Sequence, residues 1–280
     1  DRDWSSDVCS SDLIRHDGVD KVTGAAKYGA DTQLTGMLHG KVLRSAHAHA
    51  RIKSIDTSKA EALPGVFAVC TSKDFPIIED QVIDLAEAQG TARLMAEHVL
   101  ANEKALYKGH ALAAVAAVNI HIAEQAIKLI DVDYEVLPTV LTLHDALKED
   151  APILHENLTT MFRVERFARG EDTGVKGNVA GHIQHKLGDI EKGFAEADVI
   201  VEREFETETV HQGYIEPHAS TANWSNDGRL TIWTCTQGSF AIRSACAAIL
   251  DLPDSTVTVR PTEIAGGFGT KLTTNLDAVA

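Results

Sequence analysis

Basic residues are scarce in this chain: 26 Lys plus Arg stand against 41 Asp plus Glu, a formal net charge of -15 over 280 residues. That balance offers little to a phosphate backbone or an anionic bilayer, so nucleic acid is not an expected partner. Long apolar runs are lacking too. The longest, 111–123, is interrupted by Asn119 and His121 and is shorter than the roughly 20 residues of a membrane helix, so no membrane span is expected. Cysteine occurs only at 9, 70, 235 and 246, with no CxxC pair, which excludes a zinc ribbon, a thioredoxin-type site or an iron–sulfur cluster carried by this chain. The thiols are expected to be reduced and mostly buried, in a cytoplasmic protein. No GxSxG elbow is present, and no Ser or Cys has neighbours that would activate it as a nucleophile. What remains, 44% hydrophobic and 24% charged, is the composition of a soluble globular protein, and the length suits about two domains.

The first residues differ from the rest. DRDWSSDVCSSD has neither a helical nor a strand period and no apolar core of a signal peptide. The string DWSSDVCSSDL resembles the conceptual translation of a short-read sequencing adapter, so residues 1–13 are expected to be an unstructured artefact. The protein itself is expected to start near Leu13, already truncated, and to be cut again at its C-terminal end.

Residues 14–140 predict a mixed α/β domain. Strands are expected over 36–45, 50–55, 66–71 and 112–118, a helix over 121–130, and an alternating strand over 131–136 that Pro138 ends. Residues 141–177 mix charges with Gly and Pro and read as a connecting segment. A second domain is expected from 178 to 280. Asp189 is placed to cap a helix over 190–195, and 201–209 alternates with Glu202, Glu204, Glu206 and Glu208 on one face. That acidic stripe reads as a solvated strand face before it reads as a cation site. The Asn226-Asp227-Gly228 turn predicts a hairpin between 220–224 and 230–236. Ser239 is expected to cap a helix to Leu250, and a strand over 256–260 leads into IAGGFGTK.

That glycine-rich loop carries the most chemical information, because adjacent glycines let backbone N–H groups approach a ligand closely. It fails as a P-loop, since Thr270 separates Gly269 from Lys271, and as a dinucleotide fingerprint, since Leu272 stands where the third Gly belongs. Taken alone it reads as a tight turn. Gln237, just past a strand end in TCTQGSF, reads alone as a cap or turn residue, although its amide can both donate and accept. His47 with His49, and His182 with His185, have pair spacings compatible with zinc but no third ligand. His211, Tyr214, Glu216 and His218 form a polar cluster that is either a site rim or a hydrogen-bonded turn.

The order of the segments adds to this. RHDGVDKVTGAAKYGAD (15–31), LRSAHAHARIKSID (43–56), PGVFAV (64–69), YKGHALAAVAA (107–117) and DVDYEVLP (131–138) resemble the hammerhead-like α/β domain of the xanthine dehydrogenase and aldehyde oxidase family. GDIEKGFAEADVIVEREFET (188–207), HQGYIEPHASTANW, TCTQGSFAIRSA and EIAGGFGTK resemble, in order, the start of its molybdopterin-binding domain, as also found in aerobic carbon monoxide dehydrogenase large subunits. The resemblance implies an α+β fold and a molybdenum ion held by the dithiolene of a pterin, in its cytosine dinucleotide form, without a protein ligand to the metal. It implies hydroxylation of a small-molecule carbon centre with oxygen from water, and partner subunits that carry iron–sulfur clusters and FAD. It makes Gln237 the contact to the metal's apical oxo group, and Gly266, Gly267, Phe268 and Gly269 cofactor contacts through their backbone. His47 and His49 fall in a motif of the first domain that is not at the metal.

The chain departs from the family's GGGFGGK at Ala265 and Thr270. Leu272 stands where purine-oxidising members carry Glu, which counts against xanthine as substrate. The family's general base, a Glu far towards the C-terminus, is expected beyond these residues. Two other classes of function are compatible with the residues themselves: a non-catalytic assembly module of the same fold, and a nucleotide-binding protein using AGGFGTK.

Overall fold

The computed structural model describes residues 15–76, 82–84, 89–164 and 170–280. Residues 1–13, including Cys9, lie outside the described residues.

The first unit runs through helix α1 (Gly18–Thr23), strands β1 (His39–Arg44) and β2 (Ala50–Asp56), helix α2 (Ser58–Glu61) and strand β3 (Val66–Thr71). It continues with the antiparallel pair β4 (Val82–Asp84) and β5 (Gln89–Thr91), helix α3 (Ala92–Val99), strands β6 (Lys104–Ala105) and β7 (Ala111–Ala117), helix α4 (Ile120–Ala126) and strand β8 (Asp131–Val136). Then come α5 (Leu143–Ala146), β9 (Thr159–Arg163), β10 (Glu171–Lys176), β11 (Gly181–Ile183), α6 (Ile190–Glu196), β12 (Ser220–Trp224), β13 (Leu230–Thr234), α7 (Ser239–Ile249) and β14 (Val257–Pro261).

Strand β7 is central to the first unit because ALAAVAA has no polar side chain to keep in water. It pairs antiparallel with β1 on one side and β3 on the other. Its alternate residues face two ways. Ala113 and Val115 pack with Ala60, Ala126 and Ile130 from the helical side, whereas Leu112 packs with Ala101, Ala105, Ile52 and Tyr134 towards the second sheet, β6-β2-β8. Small side chains on β7 let these layers approach closely. In β8 the expected alternation holds up to its end: Asp131, Asp133 and Glu135 are exposed while Val132 and Tyr134 are half-buried, but Val136, expected to face inward with them, is exposed. Helix α4 starts where the Asn119 side chain accepts the Ile122 N–H, 2.9 Å away, and a tighter helical turn at Ile127–Leu129 carries the chain on towards β8.

In the second unit, the hairpin of β12 and β13 turns at Asn226-Asp227-Gly228, with Gly228 at φ 79°. Strand β14 then pairs parallel to β13, so α7 is the crossover helix. Leu230 and Ile232 on β13 and Val257 on β14 bury themselves against Ile242, Cys246 and Ile249 of α7. The same cluster takes in Val99, Leu100 and Ala111, so α3 and α7 join the two units through one core. Burying each of the two α7 isoleucines is worth about 1.5–3 kcal/mol.

Three expectations need correction. No strand forms over 201–209; residues 199–213 are exposed and without regular structure, because no neighbouring strand among the described residues offers a ladder for their backbone groups. The acidic stripe therefore lies on an open segment. Residues 141–177 are more than a connector, since β9 and β10 form a three-stranded sheet with β11. Ser239 does not cap α7 but is its first residue; Gly238 occupies the cap, and its N–H donates to Thr236 Oγ1 at 3.0 Å. Asp189 does cap α6, accepting the Lys192 N–H at 3.0 Å. Cys235 and Cys246 are buried and Cys70 half-buried, all free, and burial pushes the Cys246 thiol up to about 12. Among the described residues no helix is long and apolar enough to cross a membrane.

Candidate functional site

Because β13 and β14 run parallel, their carboxyl ends emerge at one edge of the sheet, which is where open α/β sheets bind ligands. Past β13 the buried Cys235 and Thr236 deliver Gln237 into an exposed position. Beyond β14 comes the glycine turn. These segments, remote in sequence, meet: Gly269 N–H donates to Gln237 Oε1 at 3.1 Å, and Gln237 N–H donates to the Lys271 carbonyl at 2.9 Å. Thr236 Oγ1 donates to the same carbonyl at 3.1 Å.

Gly267 lies directly under the Gln237 side chain. A Cβ there would sit 2.6 Å from Gln237 Cδ and 2.9 Å from its Cγ, so any side chain at 267 would push the Gln237 amide from this position. Gly266 is covered by the Phe268 ring, whose Cε2 would lie 3.1 Å from an added Cβ. Phe268 holds φ 49° and Gly269 φ 93°; the left-handed conformation at a phenylalanine costs about 1 kcal/mol, retained here in an exposed turn. The Gly266, Gly267 and Phe268 N–H groups have no acceptor among the described residues. With Oε1 taken by Gly269, the Gln237 Nε2 protons are likewise uncommitted. The arrangement is a row of donors with no acceptor, suited to a ligand carrying negative charge.

Beneath the turn lies a feature that sequence reasoning missed. The side chain of Lys271 is fully buried, and its Nζ is 2.7 Å from Glu216 Oε2 and 3.1 Å from the Glu216 carbonyl. Glu216 Oε2 also accepts the Ala265 N–H at 3.0 Å, at the entry to the turn. Tyr214 places its ring 5.1 Å from Lys271 Nζ and edge-on to His218 at 5.5 Å. The polar cluster of Tyr214, Glu216 and His218 is therefore assembled against the turn, with His211 at its outer side, 5.6 Å from the Tyr214 ring. Burial, reinforced by the charge of Lys271, pushes the His218 imidazole below its ordinary value, which favours the neutral ring. From the first unit, Lys21 Nζ reaches Glu263 Oε2 and the Ile264 carbonyl, each at 3.2 Å, bracing the segment that enters the turn.

The other candidates lie elsewhere. His49 is buried with its Nδ1 2.6 Å from the Pro138 carbonyl, and His47 packs edge-on to Tyr134 at 4.9 Å. His182 is exposed on β11 against Phe162, and His185 is exposed beyond it. Among the described residues no group of three or more His, Cys, Asp or Glu could hold a metal ion. The nucleotide reading of AGGFGTK loses its cation, because Lys271 is committed to Glu216 below the surface and only a short helical turn, Thr270–Leu272, follows the loop.

Comparison with known proteins gives two family matches: the aldehyde oxidase and xanthine dehydrogenase a/b hammerhead domain over residues 23–138, and the molybdopterin cofactor-binding domain over residues 172–280. The chain is 36% identical to the carbon monoxide dehydrogenase large chain of Afipia carboxidovorans over 89% of its own length and 30% of that protein. It is 31% identical to the xanthine dehydrogenase molybdenum-binding subunit of Escherichia coli over 92% of its length and 32% of that protein. Among solved structures, reconstituted CO dehydrogenase from Oligotropha carboxidovorans superposes with a TM-score of 0.76 at 33% identity, covering 95% of this chain and 32% of that one. The chain thus spans about a third of the length of these relatives.

Proposed function

This chain belongs to the aldehyde oxidase and xanthine dehydrogenase family, and from that premise we propose that it is part of the molybdopterin-binding large subunit of a molybdenum hydroxylase. The residues present fit the cofactor. Gln237 Nε2 and the N–H groups of Gly266, Gly267 and Phe268 are donors left without an acceptor, grouped at the carboxyl edge of the sheet. When bound, the molybdenum–pterin group, in the cytosine dinucleotide form, supplies the hydroxylation of a carbon centre with oxygen from water.

The chain's own residues hold that group and stabilise charge beside it. Gln237 donates through Nε2, and its orientation is set by the Gly269 N–H on Oε1, so Gly269 acts by aiming the amide rather than by donating to the cofactor. Gly266, Gly267 and Phe268 supply backbone N–H dipoles held in the turn and without an acceptor among the described residues, which need little reorganisation as charge shifts. Gly267 supports Gln237 from below without a side chain. Small-molecule substrates of this site are aldehydes, heterocycles or related carbon centres. Leu272, 42% exposed beside the turn, offers no carboxylate to a purine. Electrons leave to an iron–sulfur subunit and an FAD subunit.

The observation that carries the reading is the Gln237 amide, fixed by Gly269 with its donor end uncommitted. Purified holoenzyme tests it: stoichiometric molybdenum, and cytidine monophosphate released on acid hydrolysis, are expected. A protein that is active without molybdenum would overturn it.

A further inference from the structure

The Lys271–Glu216 pair has no role in binding or chemistry, yet Lys271 is the most deeply buried charged side chain among the described residues. Taking two charges out of water is costly, and a buried ion pair is on average poor stabilisation compared with apolar residues of similar size. Its connections explain why it sits here. Through its carbonyl, Lys271 holds both residues of the Thr236-Gln237 segment, the Gln237 N–H at 2.9 Å and the Thr236 hydroxyl at 3.1 Å. Through its ammonium it is fixed to Glu216, and Glu216 Oε2 in turn fixes the Ala265 N–H at the entry to the turn. Three segments remote in sequence are thereby locked to one ion pair. Gln237 is held by these bonds directly, and Gly267 lies between the two points, Ala265 and Lys271, at which they grip the turn.

We propose that Lys271 and Glu216 are a positioning pair, fixing the distance and angle between the Gln237 amide and the glycine turn and acting on the reaction through Gln237. The proposal rests on the placement of the cofactor at Gln237. Lys271 does not touch the cofactor, since its side chain is sealed beneath the turn with no exposed surface.

Two readouts test it. In the full chain, hydrogen exchange reads the geometry directly. Lys271→Met is expected to speed exchange of the Gln237, Ala265 and Gly269 amides by about tenfold or more, while the amides of β7 remain protected. In the holoenzyme, turnover per bound molybdenum is expected to fall by about tenfold or more with KM little changed, and the same substitution made on Gln237→Ala is expected to cost less than about twofold further, because the pair acts through a side chain already removed. Glu216→Asp keeps both charges but withdraws the carboxylate by one methylene; it guards against an unfolded Lys271→Met chain and is expected to show the same pattern in smaller size. Unchanged exchange at those three amides in either folded variant would overturn the proposal. So would full multiplication of the Lys271→Met and Gln237→Ala effects, the behaviour of a merely structural pair. If Gln237→Ala alone leaves turnover per molybdenum intact, the placement of the cofactor fails, and the exchange readout still decides whether the pair sets the turn.

Discussion

Replacing Gly267 by alanine adds one methyl group where the structure has no room for it. Its Cβ would sit 2.6 Å from Gln237 Cδ, 2.9 Å from Cγ and closer still to Oε1. Ordinary contact between such atoms begins at about 3.5 Å, so the amide must withdraw by about 1 Å. Gln237 is exposed and can swing away, which makes the cost to folding small: the Gly269 N–H bond at 3.1 Å is lost, at about 1 kcal/mol, and a poorer rotamer adds about as much. The cost to function is larger. A displacement of about 1 Å at a positioned group can lower turnover by about 100-fold. Gly267→Ala is therefore expected to lose about 2 kcal/mol or less in urea unfolding, and about 100-fold in turnover per bound molybdenum. Combining it with Gln237→Ala removes the obstructing side chain, so the methyl should then cost almost nothing in stability. Turnover per molybdenum within about threefold of wild type would refute the reasoning, as would a stability loss that persists in the double variant.

Gln237→Ala should lower turnover by about 100-fold or more, while molybdenum content measured by mass spectrometry changes far less, because one donor is lost and the turn stays in place. His47→Ala and His49→Ala should leave molybdenum content and any bound zinc unchanged; the His49 variant should still lose about 1–3 kcal/mol of stability, since it deletes the partner of the Pro138 carbonyl, and loss of bound metal in either would contradict this placement. Burial holds the His110 imidazole at about 4, below its ordinary 6.5, and lowers His98 and His155 in the same direction. The unfolded chain therefore binds protons that the folded chain refuses, so stability is complete above pH 6.5 and declines as the pH falls towards 4. Urea midpoints followed across that window should show the decline, and His110→Gln should flatten it; identical slopes would count against it.

Local structure was legible wherever a pattern stood on its own. The strand over Asp131–Val136, the Asn226-Asp227-Gly228 turn and the Asp189 cap each depend on neighbours in sequence and each formed, with only the last residue of the strand, Val136, turned out to solvent against the expected alternation. The alternation over 201–209 did not become a strand because a strand also needs a partner, which periodicity cannot supply. Ser239 had the right chemistry for a cap, but the helix began one residue early, with Gly238 at the cap and no side chain capping its first turn; Thr236 Oγ1 instead fixes the Gly238 N–H before the helix. The candidate site was half legible. Gln237 and the glycine turn were recognisable as separate motifs, but nothing in their spacing says that the Gly267 Cα supports the Gln237 amide. The Lys271–Glu216 pair was hidden for a different reason: two charged residues 55 positions apart read as surface, and only the packing of the turn over them makes them core.

Anomalous diffraction from holoenzyme crystals at the molybdenum absorption edge tests the central claim most directly. The account predicts a single strong peak per subunit in front of the Gln237 Nε2 protons and the Gly266, Gly267 and Phe268 N–H groups. Stoichiometric molybdenum whose peak lies away from Gln237 and the glycine turn would contradict it.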